Sequence, residues 1–304
     1  MKWIKKGRIY KPDKNIWWSQ NYGILPTPEY FEKDSLIRLY FATTDKFQNG
    51  RISYIDVSAD NPSNILYIHN NYILDLGEIG CFDDSGVNPS CVLCINKNKY
   101  LYYIGYQRCE KVPYMLFPGL ATINKDKNNL SRFKKVPIIE RSTFSPFSHA
   151  APYVLKDEGI YKMWFWYGKK WINISKKLYI EANIAYAESV DAITWTQKTG
   201  NLIRLKKSEF SIGRPWVLKQ EGVYKMWYSV RHIKHMYRIG YAESYDGVTW
   251  IRKDNEVDIT VSKTGWDSEM ICYPAVIKVK DKTYMFYNGN GNGKTGFGYA
   301  ELSN

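Results

Sequence analysis

Residues Arg214–Trp250 read RPWVLKQEGVYKMWYSVRHIKHMYRIGYAESYDGVTW, and much of the chain consists of copies of this stretch. Sixty-three residues earlier, Ala151–Trp164 (APYVLKDEGIYKMW) matches Arg214–Trp227 at ten of fourteen positions. Ile184–Trp195 (IAYAESVDAITW) matches Ile239–Trp250 at eight of twelve, at an offset of 55, so the earlier copy carries eight extra residues between its halves. A fixed period of this kind has to be read before any single element.

Within the unit, Arg214–Lys219 is an apolar run opened by a proline, and Gln220-Glu221-Gly222 is a turn. Val223–Val230 alternates and is rich in Tyr, Met and Trp; Ile239–Ser244, a Tyr245-Asp246-Gly247 turn and Val248–Lys253 follow. Short β-branched and aromatic runs between Gly and Asp turns are hairpin strands. Four strands at a period near sixty describe a propeller blade. The opening proline recurs at Pro28, Pro89, Pro152, Pro215 and Pro274, which gives five blades. A proline lacks a ladder donor and suits a strand's first residue. The fifth copy ends at GYAEL without a fourth strand, while Trp3-Ile4-Lys5-Lys6 has the missing strand's character. The expectation is one all-β domain over 1–304, a five-bladed propeller with four antiparallel strands per blade. The blades cover about 23–76, 85–140, 147–204, 212–260 and 270–304, the last closed by residues 1–11.

No apolar run approaches membrane-spanning length. The basic start MKWIKKGRIYKPDKN has no apolar stretch of the secretory kind, and the five cysteines are an odd number, so a cytoplasmic protein with free thiols is expected. Cys91 and Cys94 lie in a predicted inner strand and point to opposite faces, which argues against a zinc or redox pair. The net charge of +13 reflects lysines scattered over every blade without a basic run. A basic solvated surface is the plain account; an anionic ligand, a nucleotide-sugar or phosphorylated glycan, comes second, and nucleic acid is set aside.

If each inner strand runs from the top face downward, the segments leading into the inner strands and the strand-two-to-three loops converge on one funnel, where a rigid scaffold presents function. The first approach segment brings Trp18 and Tyr22, the second Asp83, Asp84 and Asn88, the third His149, the fourth Arg214, the fifth Asp267, Glu269 and Tyr273. The loops add Arg231, His232 and Asn290. Paired carboxylates around a sugar are the minimum for glycosidic chemistry, one protonating the leaving oxygen and the other acting as base or nucleophile. Asp84 and Glu269 are the expected pair, with the remaining residues positioning substrate. The plain readings are also specific: Asp83-Asp84-Ser85-Gly86 is a good turn, one Asp capping it. His149 fits a packed core histidine, and Arg214 a structural partner for a buried Glu269. His232-x-x-His235 has no third metal ligand in sight, so no metal or cofactor is expected. Gly289-Asn-Gly-Asn-Gly-Lys294 mimics a phosphate loop, but a strand follows it where a helix is required.

The repeated YKMW, the GYAESxDGxTW segment and the closing YNGNGxGxTGFGYA resemble the five-bladed propeller glycoside hydrolases of the arabinanase, xylosidase and invertase/levansucrase types, over the whole chain. The resemblance implies a base or nucleophile Asp in an Asp-Pro step on the first inner strand, a second Asp on the next blade and a Glu acid further on. This chain departs from it. The residues before the five prolines are Thr27, Asn88, Ala151, Arg214 and Tyr273, with no Asp among them. The leading expectation is an enzyme of glycosyl transfer, hydrolase-like or a glycosyltransferase in surface polysaccharide metabolism, acting on a sugar or activated sugar. The alternative is a non-catalytic glycan-binding propeller; a protein-interaction propeller would need a flat apolar top, which the polar approach segments argue against.

Overall fold

Alternating apolar residues bounded by Gly, Asp and Asn turns produce strands along almost the entire chain of the computed structural model, which describes residues 1–124, 129–143, 145–234 and 236–303. β1 (Trp3–Tyr10) comes first. β2 (Asn21–Phe31), β3 (Leu36–Thr44), β4 (Gly50–Ser58) and β5 (Ile65–Ile68) form one antiparallel group. β6 (Gly86–Ile95), β7 (Asn98–Arg108), β8 (Tyr114–Ile123) and β9 (Leu130–Arg132) form the next. The third is β10 (His149–Asp157), β11 (Ile160–Ile174), β12 (Lys177–Ser189) and β13 (Thr196–Thr199). The fourth is β14 (Glu209–Gln220), β15 (Val223–His232), β16 (Met236–Ser244) and β17 (Ile251–Arg252). β18 (Cys272–Val279), β19 (Lys282–Asn288) and β20 (Phe297–Leu302) are completed by β1, which pairs antiparallel with β20 from Trp3↔Leu302 to Tyr10↔Phe297. Gly50↔Gly86 and Ala182↔Ser211 are single parallel pairs that bridge the first group to the second and the third to the fourth.

The first strands of the groups lie side by side: β2 packs on β6, β6 on β10, β10 on β14, β14 on β18, and β18 on β2. Apolar layers of Tyr, Trp, Ile and Val fill the space between neighbouring groups. The eight residues added in the third repeat fall within Gly168–Glu181 and lengthen the β11–β12 hairpin, with Trp171 opposite Ile180.

The recurring Glu-Ser-x-Asp segment has a local cause. Asp246 accepts the Val248 and Thr249 amides at 2.7 Å each, and Ser244 bonds Asp246 at 2.9 Å. Asp191 does the same for Ile193 and Thr194. Both carboxyls sit at about 2: burial pushes them up, but the amide and hydroxyl donors outweigh it. The Gly247 carbonyl then accepts the indole N–H of Trp164 in the preceding group at 2.7 Å. The repeat thus encodes both a turn and the joint to a neighbour.

The five groups differ from the sequence expectation at one point that matters for the site. The first inner strand carries two prolines in Leu25-Pro26-Thr27-Pro28. Its register breaks between Ile24 and Thr27, which makes Leu25-Pro26 the counterpart of Ala151-Pro152, Arg214-Pro215 and Tyr273-Pro274. The residue before the equivalent proline on that strand is Leu25, not Thr27.

Candidate functional site

Four of these dipeptides put a non-glycine residue in the left-handed region: Leu25 (φ 59°), Ala151 (φ 49°), Arg214 (φ 53°) and Tyr273 (φ 57°). Each such residue costs on the order of 1–3 kcal/mol, and such strain gathers where a side chain has to be re-aimed. On β6 the break falls between Pro89 and Cys91 instead. The result is a ring of Leu25, Asn88, Ala151, Arg214 and Tyr273, one residue per inner strand, all lining a single axial cavity of about 160 Å³. Trp166, Tyr114, Tyr237, Arg231, Ser211 and Ser229 complete its polar and aromatic wall. A Cβ at Gly213 would stand 2.2 Å from Trp166 Cδ1, so glycine there leaves room for the indole.

The floor is a polar plug. Arg214 is only 2% exposed, and its Nη1 donates to the Ser90 carbonyl at 2.6 Å and its Nη2 to Thr27 Oγ1 at 3.1 Å. Ser90 Oγ donates to the Pro152 carbonyl at 2.7 Å, so four inner strands are tied together across the axis. Arg214 Nε has no partner. Burial lowers this guanidinium to about 10, against smaller opposing effects of Cys91, Tyr153 and Tyr273. Arg231 stands higher in the wall, 4.6 Å from the Tyr179 ring, 5.0 Å from Tyr237 and 5.3 Å from Phe210. Burial disfavours its charge, but the tyrosines around it offset that and raise its pKa. Among the described residues no carboxylate pairs with either arginine and none lines the cavity. A buried cation without a counter-ion is costly; Arg214 is buried in this way and Arg231 partly so.

Above the ring the cavity widens into an outer chamber of about 380 Å³, which keeps Asn88, Arg231, Tyr237 and Tyr273 and adds Tyr22, Gln48, Tyr106, Arg108 and Asn292. It lies at the β3–β4 and β7–β8 loops, the end opposite the plug.

The structure therefore brings together Asn88, Arg214, Arg231, Tyr273 and, in the outer chamber, Tyr22. The other expected site residues stand elsewhere. Asp84 lines neither chamber; it accepts the Gly80 amide at 3.0 Å and the Ser85 hydroxyl at 2.9 Å, the work of a turn. Glu269, expected to be buried near the axis, is exposed, and Arg214 is not its partner. Asp83 is sealed between Arg132 at 2.7 Å and the Tyr103 hydroxyl at 3.0 Å. Asp267 is held by Lys5 at 2.6 Å and the Tyr287 hydroxyl at 3.0 Å. His149 is fully buried, bonded through Nε2 to Ser145 Oγ at 2.7 Å and set edge-on to Phe117 and Phe165; burial lowers it to about 4. Trp18 lines a separate groove with Tyr10 and His69. Asn290 accepts the Glu269 amide at 2.8 Å and so fastens one loop to another. His232 ends β15 opposite Met236, while His235 lies outside the described residues, as does Phe144 of the third approach segment. Cys91 is buried and Cys94 exposed. Among the described residues no group of three or more His, Cys, Asp or Glu could hold a metal ion, and no helix is long and apolar enough to cross a membrane.

Sequence reasoning missed Trp166, Tyr114 and Tyr237. They come from second and third strands, where an aromatic facing the axis reads the same as one facing a neighbouring group.

No family model matches the chain. The Mycobacterium tuberculosis "Uncharacterized protein Rv1502" is 35% identical over 305 residues, covering 100% of both chains. A solved structure of a putative glycoside hydrolase from Bacteroides ovatus superposes with a TM-score of 0.75 at 14% identity, over 100% of this chain and 97% of that one. A member of the GH130 family, described as mannoside phosphorylases that include hydrolases of β-1,2 mannosidic linkages in Candida mannan, gives 0.73 at 14% identity over 99% and 93%. The fold is that of the propeller glycoside hydrolases, in a divergent form.

Proposed function

The chain belongs to the family of the M. tuberculosis protein Rv1502, and from its fold and its cavity we propose that it is a carbohydrate-directed propeller whose axial cavity receives an anionic sugar unit. In this reading the five strand groups are the blades of one domain, about 23–76, 85–140, 147–204, 212–260 and 270–304, with residues 1–11 closing the last. The contacts of the inner strands around a common axis support it. The observation that carries the ligand class is the pair of arginines, Arg214 and Arg231, lining a cavity with no carboxylate among the described residues. Guanidinium groups recognise carboxylate and phosphate with paired donors. Trp166, Tyr237 and Tyr273 supply aromatic surface of the kind that packs on a sugar ring. The +13 charge of the chain fits an acidic glycan, such as a surface polysaccharide carries.

Hydrolysis by paired carboxylates finds no support here, because Asp84 and Glu269 are engaged or exposed outside the cavity. Binding is the reading the geometry favours. One observation supports a second: arginines that hold phosphate would also serve glycosyl transfer to or from phosphate, the activity named for the GH130 relatives. Calorimetric titration with glucuronate, glucose 6-phosphate and glucose tests the ligand class. A charged sugar binding at least tenfold more tightly than glucose is expected; glucose binding as well as both anions would overturn it. Release of inorganic phosphate from, or its incorporation into, a glycosyl phosphate would favour the transfer reading.

A further inference from the structure

Among the described residues each strand group ends in an outer strand with one paired and one open edge, and four of these five strands carry cations. β1 has Lys5, Lys6 and Arg8; β9 ends at Arg132, with Lys134 and Lys135 behind it; β13 has Lys198; β17 has Arg252, followed by Lys253. Charged side chains, lysine above all, keep an open edge from pairing with another chain. β5 departs from this rule. It is Ile65-Leu66-Tyr67-Ile68 and pairs with β4 alone. Residues 61–74 around it hold no Lys, Arg, Asp or Glu, where a chain of 24% charged residues would place about three. His69 adds no charge at neutral pH, because burial first and the Arg38 cation second lower its pKa. Side chains alternate between the two faces of a strand, yet all four of β5 are between 37% and 53% exposed, so neither face is covered. Ile65 and Ile68 also border the groove that holds Trp18, where the charges of Lys11 and Asp13 cancel.

We infer that β5 is a self-association edge, at which two copies of this chain meet in antiparallel register about a two-fold axis, Ile65 opposite the partner's Ile68 and Leu66 opposite the partner's Tyr67. A second copy fits because a two-fold axis sets the same four residues against one another. Each strand then supplies the row of hydrogen-bond partners that the other lacks. Charge selects the place. Each copy carries +13, so two copies repel over most of their surface and meet at least cost along the stretch without cations. The pairing joins β2–β5 of both copies into one sheet. None of residues 61–74 lines the axial cavity, which stays open. Four residues and their flanks bury less than the roughly 800 Å² per partner of a standard interface, so the dissociation constant belongs in the micromolar range.

Sedimentation equilibrium of the full chain tests this over about 2 to 200 μM protein and about 0.05 to 0.5 M salt. A monomer–dimer equilibrium is expected, tightening about threefold as salt rises, because salt screens the repulsion between copies and the edge has no ion pair to weaken. Leu66→Lys gives β5 the cation that the other edges have and should weaken association at least tenfold, with the melting temperature unchanged. Ile251→Lys adds the same charge at an exposed residue of β17 and should leave association within about twofold of the parent. Amide exchange at residues 65–68 of the parent should slow as the dimer forms. A chain that stays monomeric throughout, association that weakens with salt, equal behaviour of the two variants, or exchange at 65–68 indifferent to concentration overturns the assignment.

Discussion

Asp267 and Arg214 are equally buried, each 2% exposed, yet the molecule treats their charges in opposite ways. Asp267 lies within 2.6 Å of Lys5 and 3.0 Å of the Tyr287 hydroxyl, so its charge is neutralised at short range and helps hold β1 against the last sheet. Arg214 has two neutral oxygens and the Trp216 ring at 5.1 Å for partners, and its Nε has no hydrogen-bond partner. Asp83, between Arg132 and Tyr103, follows the first pattern. Arg231, ringed by Tyr179, Phe210 and Tyr237, follows the second. Asp267 and Asp83 join elements, whereas Arg214 and Arg231 line the cavity without a carboxylate partner among the described residues, where the proposed anionic ligand would sit. Carboxylates near the approach segments are thus a poor guide to chemistry when each already has a cation or an amide for company.

Breaking the first pattern should have the largest effect. Removing one partner of a buried ion pair costs about 3–5 kcal/mol, the lower end applying here because Lys5 and Arg132 are partly exposed. Asp267→Ala and Asp83→Ala should therefore each lose about 3 kcal/mol in urea unfolding, with anion affinity unchanged in the folded protein. Loss of affinity with stability intact would move these acids into the site.

His149 shows a third treatment, burial in the neutral form. Its folded pKa of about 4 lies below the ordinary value of 6.5. Between those values the unfolded chain binds more protons than the folded one, so stability falls as pH drops from about 6.5 toward 4, by about 3 kcal/mol in all. Unfolding free energies of the parent and of His149→Gln across that range should converge toward acid. Parallel curves would contradict the assignment.

For the second pattern the readout is affinity. Arg231→Gln removes a charged donor worth about 1.5–3 kcal/mol, so an anionic sugar should bind at least tenfold more weakly while the melting temperature moves little. The smallest effects belong to the acids expected from the sequence to be catalytic. Glu269→Gln and Asp84→Asn should stay within about 0.5–1 kcal/mol in stability and leave affinity unchanged. A tenfold loss in either would restore that carboxylate to the site.

How far the sequence could be read depends on which signals repeat. The strand pattern repeats every sixty-odd residues, and so it exposes the all-β groups; the want of a fourth strand in the fifth copy pointed to residues 1–11, within which Trp3–Tyr10 pairs with β20. The ring of residues on the axis was legible at Asn88, Ala151, Arg214 and Tyr273, because each precedes the one proline of its strand. It was misplaced on β2, where Leu25-Pro26 and Thr27-Pro28 compete and only the bulge decides between them. Glu269 was expected to be buried. In the structure burial begins with the next residue, Met270, and Glu269 itself faces solvent. Burial and pairing depend on elements distant in sequence, such as Lys5 for Asp267 or Arg132 for Asp83, and no local pattern reports them.

The most direct test of the cationic axis is a titration of glucuronate, glucose 6-phosphate and glucose into the parent chain and Arg231→Gln, at low and at high salt. The expected result is that a charged sugar binds the parent, weakens with salt and weakens at least tenfold in the variant, with glucose far weaker throughout. Glucose binding as tightly as the anions, or a charged sugar indifferent to Arg231, would contradict the account.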